Sequence, residues 1–292
     1  MLYIKKYEPS SLDEMINIYD ENLIKKFKHL CKNNNDFLNI FLVGSSGLNK
    51  RVLTLNFIKE YYKIDKLITK SIEICDFTLM KSNYHIELNM NILTSCITFE
   101  NIINYFTKSK NIYTKNYTIF VLFNIKKANI KIRNIIKIIL EKRYQTCRFI
   151  CIGENYTTFS SIISNFIILR INLPSKKKYF SYLNYICENE EKQISDEKIN
   201  DIINLHFPKI NNMIYCLQLV HQKPEIDINT LDYKNIYIKP LIDLIISENS
   251  FSNKILDFIH SIVVVPKNTS TIIKDFLEEC LKLKLSDKKK YE

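Results

Sequence analysis

The chain has 292 residues, 46% of them hydrophobic and 25% charged, and a formal net charge of +11. That composition excludes a wholly disordered chain, and the length suffices for two or three domains. The positive balance points to a polyanionic partner, nucleic acid first, with the bias towards Ile, Asn and Lys along the whole chain contributing to it.

The opening "MLYIKKYEPS" lacks the basic-then-apolar organisation of a secretory signal. The most apolar runs, "NIIKIIL" and "HSIVVV", are too short to span a bilayer, so no membrane partner is expected. Eight cysteines are scattered without a CxxC pair, which argues against a zinc module and predicts free thiols in a reducing compartment. The five histidines show no ligand spacing and are read as structural or surface residues, and no metal site is expected.

In chain order, "LNIFLV" (38–43) reads as a buried strand. The loop 44–49 follows, and from Lys50 to Tyr62 the residues Val52, Leu53, Leu55, Phe57, Ile58 and Tyr61 recur at helical spacing. Further strands are predicted at 85–89, 117–123, 147–152 and 166–171, with helices at about 97–107 and 129–142. This alternation argues for an α/β fold with a doubly wound parallel sheet. After Pro174 the strand signal stops, and helices are predicted near 175–189, 195–205 and 208–221, with Pro208 opening the last. A second break falls at 223–230, followed by helices near 232–248, 250–261 and 268–284 and a solvated tail, "SDKKKYE". The expected organisation is a core over 1–173, helices over 174–224, and C-terminal helices over 225–292.

Only three glycines occur, and two of them lie in "VGSSGLNKRV" (43–52). A phosphate-binding loop of the G-x-x-x-x-G-K-[ST] type uses backbone N–H groups, a lysine and a metal-binding hydroxyl. Gly44, Ser45, Ser46, Gly47, Leu48, Asn49, Lys50 and Arg51 are the candidate loop. Asn49 stands where the last glycine belongs, and it tolerates left-handed backbone. Arg51 stands where Ser or Thr would bind magnesium, and a guanidinium has no lone pair for a cation. Lys50 is a candidate phosphate anchor, and Arg51 a candidate cation in place of the metal. The alternatives are a working site, a degenerate one, or an ordinary turn between strand and helix. The strand "TIFVLF" runs into Asn124, Ile125, Lys126 and Lys127, without the acidic pair that would position metal and water.

Several segments together resemble replication factor C small subunits: "KKYEPSSLDEM" (5–15), "SNYHIELN" (82–89), "ILEKRYQTCRFICI" (139–152), "ISDEKINDII" (194–203) and "VVVPKNTSTIIKDFLEECL" (263–281). They fall in the family's order, and "SNYHIELN" is similar to the non-hydrolysing subunit 3 type. The resemblance implies an AAA+ core, a helical lid and a collar domain, the collar here shortened. It also implies a hetero-pentamer with other replication factor C subunits, a sliding clamp and primer–template DNA as partners, in the nucleus or a viral replication compartment. The family's acidic box falls on Phe123, Asn124, Ile125 and Lys126. Its first sensor falls on Glu154 or Asn155, its arginine-finger motif on Ser164, Asn165 and Phe166, and its second sensor on Ile214. Glu8 stands where the family's opening box has arginine, and the paired arginines of a further motif fall on Lys137 and Ile138. These departures imply that the chain is not an enzyme and requires no cofactor, with ATP or ADP held, if at all, without turnover. Tyr7 and Pro9 fall on the adenine side of the family's site, or else pack on the core.

Lys126, Lys127, Lys131, Arg133 and Lys137 are candidate contacts to a DNA backbone, or a solvated basic face; in the resembled family this helix start faces the duplex. Two further readings remain: an active ATPase in which Glu100, Glu141 or Glu154 supplies the missing acid, and a free-standing basic DNA-binding protein.

Overall fold

A computed structural model describes residues 2–32, 37–75, 77–108, 117–142, 145–223, 228, 237–247, 255–256, 259 and 269–282. The chain forms two compact units, one of residues 1–193 and 206–215, the other of residues 194–205 and 216–292.

The first unit is built on a seven-stranded sheet. Its strands are β1 (Ile40–Val43), β2 (Lys70–Ile74), β3 (Phe77–Lys81), β4 (His85–Asn89), β5 (Thr118–Phe123), β6 (Cys147–Gly153) and β7 (Ile167–Arg170), in the order β2-β3-β4-β5-β6-β1-β7. The five strands from β4 to β7 in that order are parallel, and they match the five strands predicted. The hairpin β2–β3 lies outside the predicted strands; it adds two antiparallel strands to one edge. Its apolar residues alternate with polar ones (Ile72 and Ile74, then Phe77 and Leu79), which is the signature of a half-buried strand pair rather than a buried parallel strand.

The helices of this unit are α1 (Tyr3–Lys6), α2 (Glu21–Lys32), α3 (Lys50–Tyr62), α4 (Cys96–Lys108), α5 (Ile130–Lys142) and α6 (Lys176–Asn189). The central strands are largely apolar and deeply buried: every residue of β6 is buried, Arg148 included. Phe41, Phe120, Phe149 and Ile136 belong to one core cluster, within which the rings of Phe120 and Phe149 stack 5.8 Å apart. Phe27 of α2 meets Phe57 of α3 at 5.3 Å. Ser175 caps α6 by accepting a hydrogen bond from the Lys178 N–H. That helix also joins the first unit through Lys178, whose ammonium donates to the Tyr19 carbonyl at 2.6 Å.

Helix α7 (Asp196–His206) opens on two acids and closes on a histidine, the arrangement that suits the helix dipole. Helix α8 (Ile210–Gln222) begins two residues beyond Pro208. In the second unit, α9 (Lys239–Ser247) and α10 (Thr269–Lys282) share a small core around Leu241 and Ile255 with Ile272 and Phe276. Most of the helix predicted at 250–261, the break at 224–227 and 229–230, and the tail lie outside the described residues. No helix among the described residues is long and apolar enough to cross a membrane.

Candidate functional site: the loop between β1 and α3

A cleft of about 1060 Å³ opens at the carboxyl ends of β1, β4, β5 and β6, where ligands of open α/β sheets bind. The candidate loop forms one wall, as β1 hands over to α3. All three glycines of the chain meet here. The Gly44 N–H donates to the Gly153 carbonyl at 3.2 Å, tying the loop to the end of β6. Gly47 has φ +87°, and a Cβ on it would lie 2.6 Å from Lys209 Cγ. A Cβ on Gly153 would lie 2.9 Å from Ile125 Cγ2. Only glycine fits these close approaches.

Asn49 does adopt the left-handed conformation, at φ 42° and ψ 36°, so the turn survives the loss of its glycine. Its side-chain amide donates to Asn211 Oδ1 of α8 at 2.7 Å. Tyr19 secures the same loop by donating to the Leu48 carbonyl. Lys50 turns its ammonium onto the carbonyls of Gly44 and Ser45, at 2.6 and 2.7 Å. Burial holds that ammonium below the ordinary lysine value, and the charge of Glu154 pushes it partly back.

Arg51 is not a free cation standing in for magnesium. Its guanidinium makes a two-pronged contact with Glu87 of β4, Nε to Oε2 at 2.8 Å and Nη2 to Oε1 at 3.0 Å. His85 Nε2 lies 3.2 Å from the same Oε1, and Ser82 Oγ lies 2.7 Å from His85 Nδ1. Arg51, Glu87, His85 and Ser82 thus form one polar chain that runs into the sheet, where the Glu87 side chain is 5% exposed. Burial raises the Glu87 carboxyl, but the hydrogen bonds from His85 and Arg51 outweigh it and leave it below the usual carboxylate range.

The remaining expected positions are distributed as follows. Strand β5 ends at Phe123, and Asn124 turns left-handed and donates to Asn89 Oδ1 at 3.0 Å. The carboxylates of the cleft come instead from β4 (Glu87) and from the end of β6 (Glu154). Of the three acids weighed for an active site, Glu154 lines the cleft, while Glu100 and Glu141 are exposed on α4 and α5 and do not. Ser164, Asn165 and Phe166 lie at the amino ends of β1, β6 and β7, away from the cleft, where they line a separate space of about 390 Å³ with Phe37 and Arg148. Ile214 is 3% exposed. With Tyr7, Pro9 and Val52 it lines a space of only about 30 Å³ behind Asn49. The Tyr7 hydroxyl donates to Glu190 at 2.6 Å, and the Tyr182 hydroxyl donates to the Tyr7 carbonyl at 2.7 Å.

Lys126 and Lys127 are exposed and line the cleft, and Lys131 and Lys137 are exposed on α5. Arg133 does not stand with them. Its Nε donates to the Ala128 carbonyl at 3.0 Å and its Nη1 to the Thr158 carbonyl at 3.1 Å, with the guanidinium 6.0 Å from the Phe159 ring centre. Its donors brace the start of α5, so Arg133 leaves the set of candidate phosphate contacts. Among the described residues no group of three or more His, Cys, Asp or Glu side chains is placed to hold a metal. Burial pushes up the thiol of Cys151, which lies inside β6.

No protein-family model matches the chain. It is 26% identical to replication factor C subunit 3 of Arabidopsis thaliana over 213 residues, 66% of this chain and 59% of that one. It is 24% identical to a probable replication factor C subunit 3 of Dictyostelium discoideum over 273 residues, 86% of this chain and 77% of that one. A replication factor C small subunit 2 of Pyrobaculum islandicum is 22% identical over 75% of this chain and 63% of its own. The chain is similar to replication factor C small subunits over most of its length. The match to the plant relative spans less than two thirds of that relative's length. Among solved structures, the RuvB Holliday junction branch migration motor of Thermotoga maritima matches with a TM-score of 0.54 and 14% identity, over 87% of this chain and 72% of that one. A variant of the same motor matches with a TM-score of 0.56 and 16% identity, over 86% and 85% of the two chains. That likeness is one of fold, an α/β core followed by helices.

Proposed function

We propose that the chain is a non-hydrolysing subunit of a replication factor C-like clamp loader, which supports loading of a sliding clamp onto primed DNA. The observation that carries the proposal is the Arg51–Glu87 pair. A loop of the right shape, in a chain similar to replication factor C subunits, has a guanidinium at its metal position, and that guanidinium is tied to a buried carboxylate. Phosphoryl transfer in this class depends on a metal bridging the phosphates and on an acid or amide orienting the attacking water. Arg51 stands at the loop's metal-binding hydroxyl position, and the end of β5 carries Asn124 in place of a carboxylate. The finger position carries Ser164, Asn165 and Phe166, so no arginine stands there to reach a neighbouring site.

In this role the chain assembles with other replication factor C subunits and works where the genome is copied, in the nucleus or a viral replication compartment. Lys126, Lys127, Lys131 and Lys137 are the proposed contacts to duplex phosphates, read without base specificity. The test is co-purification of the tagged full chain with its partner subunits and identification of those subunits. Monomeric behaviour with strong salt-dependent DNA binding would favour a free-standing DNA-binding protein instead.

One observation favours a second reading. Glu154 lies on the cleft wall and its charge acts on Lys50. An active site built on that acid would lose ATP turnover in Glu154→Gln; no turnover in either form would exclude it.

A further inference from the structure

We propose that the cleft takes an uncomplexed oligophosphate, a di- or triphosphate held by its phosphates alone, without magnesium and without a contribution from a base. The proposal rests on the non-hydrolysing reading for its setting, but it concerns what the loop binds.

The attraction is local. Lys50, Lys126 and Lys127 line the cleft with the N–H groups of the loop at the start of α3, an arrangement that favours an anion. Arg51 is offset by Glu87, which leaves Glu154 as the one carboxylate without an ion-pair partner among the described residues of the cleft. To engage a phosphate, Lys50 exchanges two neutral carbonyl acceptors for anionic oxygens, which adds ion-pair attraction to the hydrogen bonds.

The case against magnesium is one of ligand supply. Magnesium in phosphate sites is held by one or two carboxylates together with the phosphates and water. Both oxygens of Glu87 already accept hydrogen bonds or an ion pair, Oε2 from Arg51 and Oε1 from Arg51 and His85. A metal there would have to displace a guanidinium from a buried carboxylate, and the cleft's other carboxylate, Glu154, already acts electrostatically on Lys50, the cation that would meet the phosphates.

The case against a base in the position that the resemblance gives to adenine is one of room. The space lined by Tyr7, Pro9, Val52 and Ile214 measures about 30 Å³. One water needs about 10–15 Å³ on this measure, and small-molecule pockets run to about 300–1,000 Å³. The space is therefore filled by the chain's own side chains. Its walls are fixed: Tyr7 is bonded at its hydroxyl to Glu190 and at its carbonyl to Tyr182, and Asn49 is bonded to Asn211. Asn49 lines both the small space and the cleft, so the residue that replaced the loop's last glycine stands between them.

Isothermal titration of the full chain with sodium tripolyphosphate and with ATP, each in EDTA and then with excess magnesium, tests this. The expected result is saturable binding of both anions, with affinities within about threefold of each other, unchanged or weakened by magnesium. Lys50→Ala, and separately Lys126→Ala with Lys127→Ala, are expected to weaken both ligands at least about fivefold. ATP binding about tenfold or more tighter than tripolyphosphate, a requirement for magnesium, or saturable binding of neither anion would overturn the proposal. ATP turnover by the chain within an assembly would instead sink the non-hydrolysing reading, and the relative affinities of the two anions would still be read separately.

Discussion

Arg51 and Glu87 carry most of the weight at the scale of single residues. Removing the guanidinium leaves Glu87 buried with His85 as its remaining partner, so Arg51→Ala is expected to cost about 1–3 kcal/mol in urea unfolding, the lower end if water reaches the gap. Arg51→Lys does not restore the two-pronged geometry and should recover only part of that loss. The Glu87 carboxyl sits below its unfolded value of about 4.3, so the pair contributes stability above that value and loses it as pH falls through the folded value. Wild type should therefore lose stability below about pH 4.3 more steeply than Glu87→Gln, as followed by unfolding midpoints from pH 7 to pH 3. At Gly47 a side chain meets both a left-handed backbone and Lys209, so Gly47→Ala is expected to destabilise by about 1–3 kcal/mol. Part of this was legible in the sequence. Gly44, Gly47 and Lys50 announced the loop, and Arg51 announced the loss of the metal ligand. The identity of the partner to Arg51 was not legible. Glu87 stood in view as a charge within the apolar strand "HIELN", and a buried charge demands a partner. That the partner lies 36 residues earlier depends on the packing of β4 beside the loop. Gly153 was likewise visible as the third glycine, but its approach to Ile125 is a fact of tertiary structure.

Among the elements, α5 divides its cations by function. Arg133 braces the helix start, whereas Lys131 and Lys137 are exposed. Lys131→Ala with Lys137→Ala should leave the unfolding midpoint nearly unchanged and reduce the salt slope of DNA binding by about 0.9 for each phosphate that is no longer neutralised. Arg133→Ala should lower stability by about 1–2 kcal/mol and leave that slope where it was. Helical spacing told which side of α5 packs on the sheet, through Ile132, Ile136, Ile139 and Leu140. It could not tell a solvated cation from one bonded to backbone carbonyls, because Thr158 comes from a distant turn. The five parallel strands were legible because strands buried on both faces read as continuous apolar runs. The hairpin β2–β3 escaped because its alternating residues, set among lysines, carry a weaker signal.

On the scale of the whole molecule, the order of segments carried more information than any one of them. Each matching piece is short, yet together they follow replication factor C small subunits from the start of the chain to α10, and the similarity extends over most of the sequence. Composition suggested breaks at Pro174 and near 223–230, where strand signal and then apolar periodicity change. The placement of α6 with the first unit depends on contacts such as Lys178 to Tyr19, which composition does not encode. The central claim is that this chain contributes architecture to a clamp loader and no ATP hydrolysis. The most direct measurement is steady-state ATP turnover by the reconstituted assembly in which the phosphate-loop lysines of all partner subunits are substituted, so that only this chain's site remains intact. The expected result is stable incorporation of the chain with no turnover above the no-protein control, with clamp and primed DNA present. Turnover that persists and depends on this chain, or failure of the chain to enter such an assembly, would contradict it.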